Sequence, residues 1–231
     1  MKLYIGNKNY SSWSMRPWVL LRNAGIAFDE VMLRFDSFAA DSKFKQAINS
    51  VSPTGRVPCL VDDSLANSLV VWDTLAIAEY AAEKFPAKKL WPQSVTQRAR
   101  ARSICAEMHS GFTGVRGACP MNIEADLPDV GALALRDKPA VRADVARIEA
   151  MWSELLTQYG GPYLFGSQFT VADAYFAPVC MRFKTYHLSQ RHEINAYVKA
   201  IRNAPGVADW IADALTEKDF LDFEEPYRLK R

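Results

Sequence analysis

The segment Tyr10-Ser11-Ser12-Trp13-Ser14-Met15-Arg16-Pro17-Trp18 sets three hydroxyls between a short apolar run and a helical pattern. A hydroxyl in that place has two uses. It accepts a backbone N–H and caps the helix, or it donates to an anion at the helix N-terminus, where free N–H groups already favour negative charge. One cap needs one hydroxyl, so three of them suggest a site as well as a cap. A second segment, Ser52-Pro53-Thr54-Gly55-Arg56-Val57-Pro58, puts a proline at the opening of a strand. A cis bond there would expose the backbone of Val57 to a ligand, and an ordinary turn before an edge strand accounts for it equally well. In the third, Trp72-Asp73-Thr74-Leu75, Asp73 or Thr74 caps a helix. The same geometry offers an N–H and a hydroxyl to a ligand carboxylate, with Asp73 facing an ammonium group.

Other chemistries are poorly represented. The chain has no Gly-x-Gly-x-x-Gly, no phosphate-binding P-loop and no His-Glu-x-x-His. His109, His187 and His192 lack the clustered Cys or carboxylate spacing of a zinc site, so no metal is expected. Lysine plus arginine number 28 against 26 acidic residues, a net charge of +2. That excess creates no global field for a nucleic acid or an anionic membrane, and neither is expected as a partner. No apolar stretch approaches the roughly 20 residues that span a bilayer, and the start, Met1-Lys2-Leu3-Tyr4-Ile5-Gly6, lacks the apolar core of a secretory signal. Asn9-Tyr10-Ser11 therefore matches a glycosylation acceptor by chance. Cys59, Cys105, Cys119 and Cys180 form no Cys-x-x-Cys pair, and reduced thiols in the cytoplasm are the expectation.

The elements that must hold these segments follow from periodicity and punctuation. At 231 residues and about 150 per domain, the chain makes one large domain or two modest ones. Strand patterns fall at Lys2–Ile5, Phe28–Leu33, Pro58–Val61 and Leu69–Trp72, the last two as a hairpin. Helices fall at Met15–Ala24, Asp41–Ile48 and Thr74–Phe85, giving the order β-α-β-α-β-β-α. Beyond Val95 the strand signal vanishes. The spacing predicts one long helix over Val95–Val115. A second, capped by Asp137, carries Val141, Val145, Ile148, Trp152, Leu155 and Tyr159 on one face up to Gly160. Shorter helices are predicted at Val171–Thr185, Ile194–Ala204 and Val207–Leu215. The fold class is α/β followed by all-α, divided as residues 1–85, a proline-bracketed linker at 86–92, and 93–231.

In this order and spacing the three segments resemble the glutathione transferase family, across essentially the whole chain. Phe169-Thr170-Val171-Ala172-Asp173-Ala174 adds a family-like stretch, readable physically as a capping box. The resemblance implies a thioredoxin-like first domain with a mixed four-stranded sheet, and an all-helical second domain. It implies glutathione as co-substrate, with Ser11 donating to the thiol and Ser12 and Ser14 as its rivals. Arg56, Val57 and Pro58 would hold the cysteinyl unit, and Asp73 and Thr74 the γ-glutamyl end. Ser11-Ser12-Trp13-Ser14-Met15-Arg16 is most similar to the zeta-type pattern Ser-Ser-Cys-x-x-Arg, with Trp13 in place of cysteine.

A free thiol with pKa ~8.5 is a few per cent ionised at neutral pH, and a two-unit drop takes ~2.7 kcal/mol of thiolate stabilisation. One hydroxyl and a helix dipole are of that size. The family resemblance therefore implies conjugation of a small electrophile by a cytoplasmic homodimer. The alternatives are an isomerase of the maleylacetoacetate type and a non-catalytic binding or regulatory protein. The electrophile pocket is expected between the domains, at Trp13, His109, Phe112 and Arg116, although Met108, Phe112 and Val115 also suit a core. Arg98, Arg100 and Arg102 read as a solvated face or a subunit contact. Arg182 and Lys184 read as surface charges.

Overall fold

The computed structural model describes residues 1–230. Strand β1 (Lys2–Ile5), helix α1 (Ser12–Asn23), strand β2 (Asp29–Met32), helix α2 (Lys43–Asn49), strands β3 (Cys59–Asp62) and β4 (Leu69–Trp72) and helix α3 (Thr74–Lys84) follow in the predicted order. They form a mixed four-stranded sheet in the order β2-β1-β3-β4. β1 runs parallel to β2, while β3 is antiparallel to both β1 and β4. Side chains alternate across it. Leu3, Ile5 and Leu60 enter the main core with α1 and α3, while Tyr4 and Cys59 face a smaller cluster with Phe35, Phe44 and Ile48.

Helix α1 begins three residues earlier than the predicted Met15, with Ser11 at the N-cap. Pro17 thus lies inside the helix, past its first turn, with no N–H to give the Trp13 carbonyl. The three hydroxyls therefore belong to the helix's cap and first turn instead of a loop ahead of it. From Ser14 to Leu21 every residue of α1 is buried, because this helix is covered on several sides, by the sheet domain's α3 and by the helical half.

The helical half departs from prediction in its first part. A 3-10 turn at Pro86–Lys88 precedes α4 (Val95–Ser110), and α5 (Thr113–Ala118) is a separate short helix. The single helix expected over Val95–Val115 breaks because Phe112 adopts a left-handed conformation at φ 53°, next to Gly111. Helix α6 (Pro128–Asp137) was not foreseen. Asp137 ends α6 and pairs with Arg136, so it does not cap α7 (Pro139–Tyr159). The signal for α6 was present in Pro128-Asp129, a proline and an acid suited to a first helical turn.

Helix α8 (Val171–Thr185) matches prediction and forms the centre of this half, with every residue but Lys184 buried. Its start is the expected capping box. Asp173 Oδ2 accepts from Thr170 N at 2.9 Å, and Oδ1 accepts from Leu164 N at 3.0 Å and Tyr197 OH at 3.2 Å. Helices α9 (His192–Asn203) and α10 (Pro205–Thr216) complete the bundle.

After α10 the chain crosses back to the sheet domain. Glu217 accepts from Lys8 N at 2.7 Å and Asn9 N at 3.2 Å, and Leu221 enters the Phe35–Phe44 cluster. Phe223 packs edge-on against Phe38 at 5.1 Å. Tyr10 OH donates to Glu225, and Tyr227 OH donates to the Ala118 carbonyl. The loop after β1 is tied down from both sides. Asn9 is buried, and its side-chain oxygen accepts from Ile123 N and Glu124 N.

Candidate active site

Two clefts adjoin where the loops after β1 and before β3 meet α4, α5 and α8. The larger, of about 720 Å³, is bounded by Ser11, Ser12, Phe38, Met121, Arg182 and Glu224, among others. The smaller, of about 480 Å³, is bounded by Thr54, Pro58, Trp72, Asp73, Thr74 and His109. Trp13, Arg56, Val57 and Arg116 line both, so the two form a continuous surface.

The serines separate by burial and partners. Ser11 sits at the N-cap, yet its side chain makes no capping bond to the helix backbone. Its hydroxyl donates instead to Ser14 Oγ at 2.8 Å. Ser14 Oγ also accepts from Gly6 N at 3.1 Å, is fully buried, and lines neither cleft. Ser14 thus fastens the end of β1 to α1. Ser12 opens on the larger cleft, where its oxygen accepts from Arg182 Nη2 at 3.4 Å.

Arg16 fixes this turn against the helical half. Its Nη1 donates to the Ser12 carbonyl at 2.8 Å and its Nε to the Tyr175 carbonyl at 3.0 Å, with the guanidinium 4.3 Å from the centre of the Trp13 ring. Burial pushes Arg16 down to about 9. Arg182 was expected at the surface. It is buried instead, donating through Nε to the Cys119 carbonyl at 2.9 Å, and burial lowers it to about 10. Helix α8 has no solvent-facing side at this position, so a charge in it has to be buried. Lys184, on the exposed side, pairs with Asp126 as a surface charge does.

The smaller cleft carries the other predicted segments. The Val57–Pro58 bond is cis, and Pro58 leads directly into β3. The turn before it needs Gly55: its φ is +59°, and a Cβ there would lie 2.3 Å from Asn49 Oδ1. Asp73 caps α3 from a left-handed φ of 73°, its Oδ1 accepting from Leu75 N at 2.8 Å. Oδ2 stands 3.3 Å from His109 Nε2, and His109 Nδ1 is 3.1 Å from Tyr175 OH. Tyr175, on α8, thus stands behind His109 and the cap of α3.

His109 therefore lies beside Asp73 and not in the larger cleft, while Trp13 and Arg116 line both clefts. Phe112 is buried and lines neither. Arg100 and Arg102 pair with Glu154 and Glu79 of the same chain. Sequence reasoning missed Tyr175 and Glu224. Nothing local marks either one, because each reaches the site only through the packing of α8 or the return of the C-terminal segment. Among the described residues no three His, Cys, Asp or Glu side chains gather in a metal-binding arrangement.

Comparison with known proteins gives the following likenesses. The family model described as glutathione S-transferase, N-terminal domain, matches residues 10–84, and that of the C-terminal domain matches residues 138–213. A probable maleylacetoacetate isomerase of Caenorhabditis elegans is 27% identical over 186 residues, covering 80% of each chain. A glutathione transferase structure from Methylococcus capsulatus is 26% identical with a TM-score of 0.66, covering 93% of this chain and 98% of its own. A sphingomonad glutathione S-transferase complexed with glutathione shares the fold at 24% identity and a TM-score of 0.67, covering 94% of this chain and 100% of its own.

Proposed function

The chain belongs to the glutathione S-transferase family, and from that premise we propose that it is a serine-type glutathione transferase acting on small electrophiles. The observation that carries the reading is Ser11. It is an N-cap serine whose hydroxyl is not spent on the helix backbone and which opens on a cleft continuous with the Val57, Asp73 and Thr74 wall. Glutathione lies along that wall, with its γ-glutamyl end at Asp73 and Thr74 and its cysteinyl backbone at Val57. The sulfur then reaches the N-terminus of α1, where the dipole favours the thiolate, as does the Ser11 hydroxyl once its proton turns from Ser14 Oγ to the sulfur. Ser11 does not attack the substrate, because no base stands beside it to take its proton. Its nearest side-chain partner is another serine.

In conjugation the thiolate attacks the electrophilic carbon, a C–S bond forms, and the leaving group departs with its electron pair or a double bond is saturated. The likeness to a probable maleylacetoacetate isomerase supports a second reading. There the thiolate adds to a double bond, the new single bond rotates, and the thiolate leaves again. A panel of electrophiles assayed with glutathione separates the two, since conjugation consumes glutathione and isomerisation returns it. No turnover of either kind across the panel, with glutathione bound, would favour a binding or regulatory protein.

The same reading takes the protein as a cytoplasmic homodimer. Four free, buried cysteines suit a reducing compartment, and no helix among the described residues is long and apolar enough to cross a membrane. Sedimentation equilibrium at micromolar concentration checks the dimer, and a monomer would contradict it.

A further inference from the structure

A cavity of about 380 Å³ opens between the end of α8, the turn that follows it and α9, and it shares no lining residue with either cleft described above. Helix α9 brings Asn195, Val198, Lys199 and Arg202 to it, at the spacing of one helical face. Its lining holds three full cations, Lys184, Lys199 and Arg202, and no aspartate or glutamate. Lys184 shares Asp126 with His187, at 3.0 and 2.7 Å. Glu149 reaches the rim but accepts from the Ser189 hydroxyl. Lys199 and Arg202 have no carboxylate partner among the described residues. Arg202 is half-buried, and its one side-chain hydrogen bond runs from Nη1 to Met181 Sδ at 3.7 Å, a weak acceptor. Burial holds it below the usual guanidinium range, with no carboxylate to offset that cost. A cation in the last turn of α9 suits the dipole there. The dipole does not explain why two more cations stand round the same hollow with no acid among them.

We propose that this cavity binds the phosphate monoester of a small organic molecule, with its phosphoryl group held between Arg202 and Lys199 and its organic part along Val198. Cations that face no acid call for more than one negative charge. A phosphate monoester carries close to two at neutral pH, where a single carboxylate carries one. The guanidinium fork and the ammonium suit phosphoryl oxygens as a two-point clamp and a point charge. Asn195 gives one amide hydrogen bond to the Ser189 carbonyl at 3.3 Å and keeps a second N–H for a further oxygen. At about 380 Å³ the cavity has the size of a small-molecule site and more room than bare phosphate fills. The site does not depend on the chemistry of the two clefts.

The test is calorimetric titration of the full-length protein with AMP, inorganic phosphate and citrate, each with and without saturating glutathione. AMP is expected to saturate a single site, more tightly than phosphate or citrate, with an affinity that glutathione leaves unchanged. Arg202→Gln and Lys199→Gln should each weaken AMP about tenfold or more, a charge-assisted bond's worth, and spare glutathione binding. Lys43→Gln removes the same charge from an exposed position on α2 and should leave AMP binding as it is. Lys199 is exposed, so its variant decides if Arg202→Gln does not fold. Absence of saturable AMP binding overturns the site. So does an affinity that both variants spare, or that Lys43→Gln lowers equally, since diffuse surface charge would then account for it. Phosphate as tight as AMP, or citrate tighter than either, overturns the monoester as the ligand. Competition between AMP and glutathione overturns the site as well, by placing AMP in the clefts.

Discussion

The two adjoining clefts differ in what their charges face. In the smaller one the carboxylate, Asp73, is answered by the Leu75 N–H and stands 3.3 Å from His109, and Arg116 is shared with the larger. In the larger one Arg182 and Arg116 have carbonyl and hydroxyl acceptors but no carboxylate. A site whose polar groups are satisfied in advance suits a ligand that never changes, since little reorganises on binding. A site that leaves charge unmatched hands part of its binding energy to whatever ligand brings the opposite sign.

The largest expected effect comes from a residue in neither lining. Asp173→Ala leaves the buried Leu164 and Thr170 N–H groups and the Tyr197 hydroxyl without their acceptor. With unsatisfied donors costing about 1–3 kcal/mol each, a loss of ~3 kcal/mol or more is predicted by denaturant unfolding, and both clefts should weaken together because α8 supports both. A loss confined to one cleft would break the claim that they share this floor.

Asp73→Ala tests the smaller cleft alone. It should weaken glutathione binding by ~1–3 kcal/mol, read by calorimetry, while the affinity of the larger cleft for an electrophile stays unchanged. Equal damage in both clefts would mean that they are not independent.

Arg182→Met addresses the unmatched charge. Replacing a buried cation that has no carboxylate partner by an apolar side chain of similar length is expected to leave stability within about 1 kcal/mol or raise it. A loss of several kcal/mol in unfolding experiments would mean that the arginine is structurally matched after all.

The smallest effect is a pH slope. Burial pushes Glu224 up to about 7, with Arg182 pulling the other way. Its folded-state value lies above its unfolded one, so the folded protein holds the extra proton and stability declines as pH rises from about 4.5 to about 7. Glu224→Gln should flatten that slope in thermal unfolding across the same window. An unchanged slope would place Glu224 in water.

The smaller cleft was also the more legible of the two in the sequence. Val57-Pro58 and Asp73-Thr74 announce themselves locally, through a proline at a strand start and an acid-hydroxyl pair at a helix start. The four strands and three helices of the first half follow the same local punctuation. The larger cleft depends on distant packing. Arg182 looks like a surface charge until α8 is known to be covered on every side up to Phe183, a fact hinted at by its nearly unbroken apolar run from Val171 to Phe183. Glu224 belongs to a segment with no periodicity, held by partners more than two hundred residues away, such as Tyr10. His109 and Phe112 were expected on one helical face, and the left-handed Phe112 separates them. The early start of α1 moved Ser14 out of the site by turning it toward Gly6.

The central claim is that Ser11 activates the thiol, and titration of thiolate absorbance in the bound glutathione complex tests it most directly. Ser11→Ala removes one hydrogen bond to sulfur and leaves both ends of the tripeptide held, so affinity should change little. The thiol pKa should rise by about one to two units, the equivalent of a charge-assisted hydrogen bond of ~1.5–3 kcal/mol. Ser12→Ala and Ser14→Ala, titrated in parallel, should move it less. An unchanged thiol pKa in Ser11→Ala together with a raised one in Ser12→Ala would contradict the assignment, passing the role to the hydroxyl that faces Arg182.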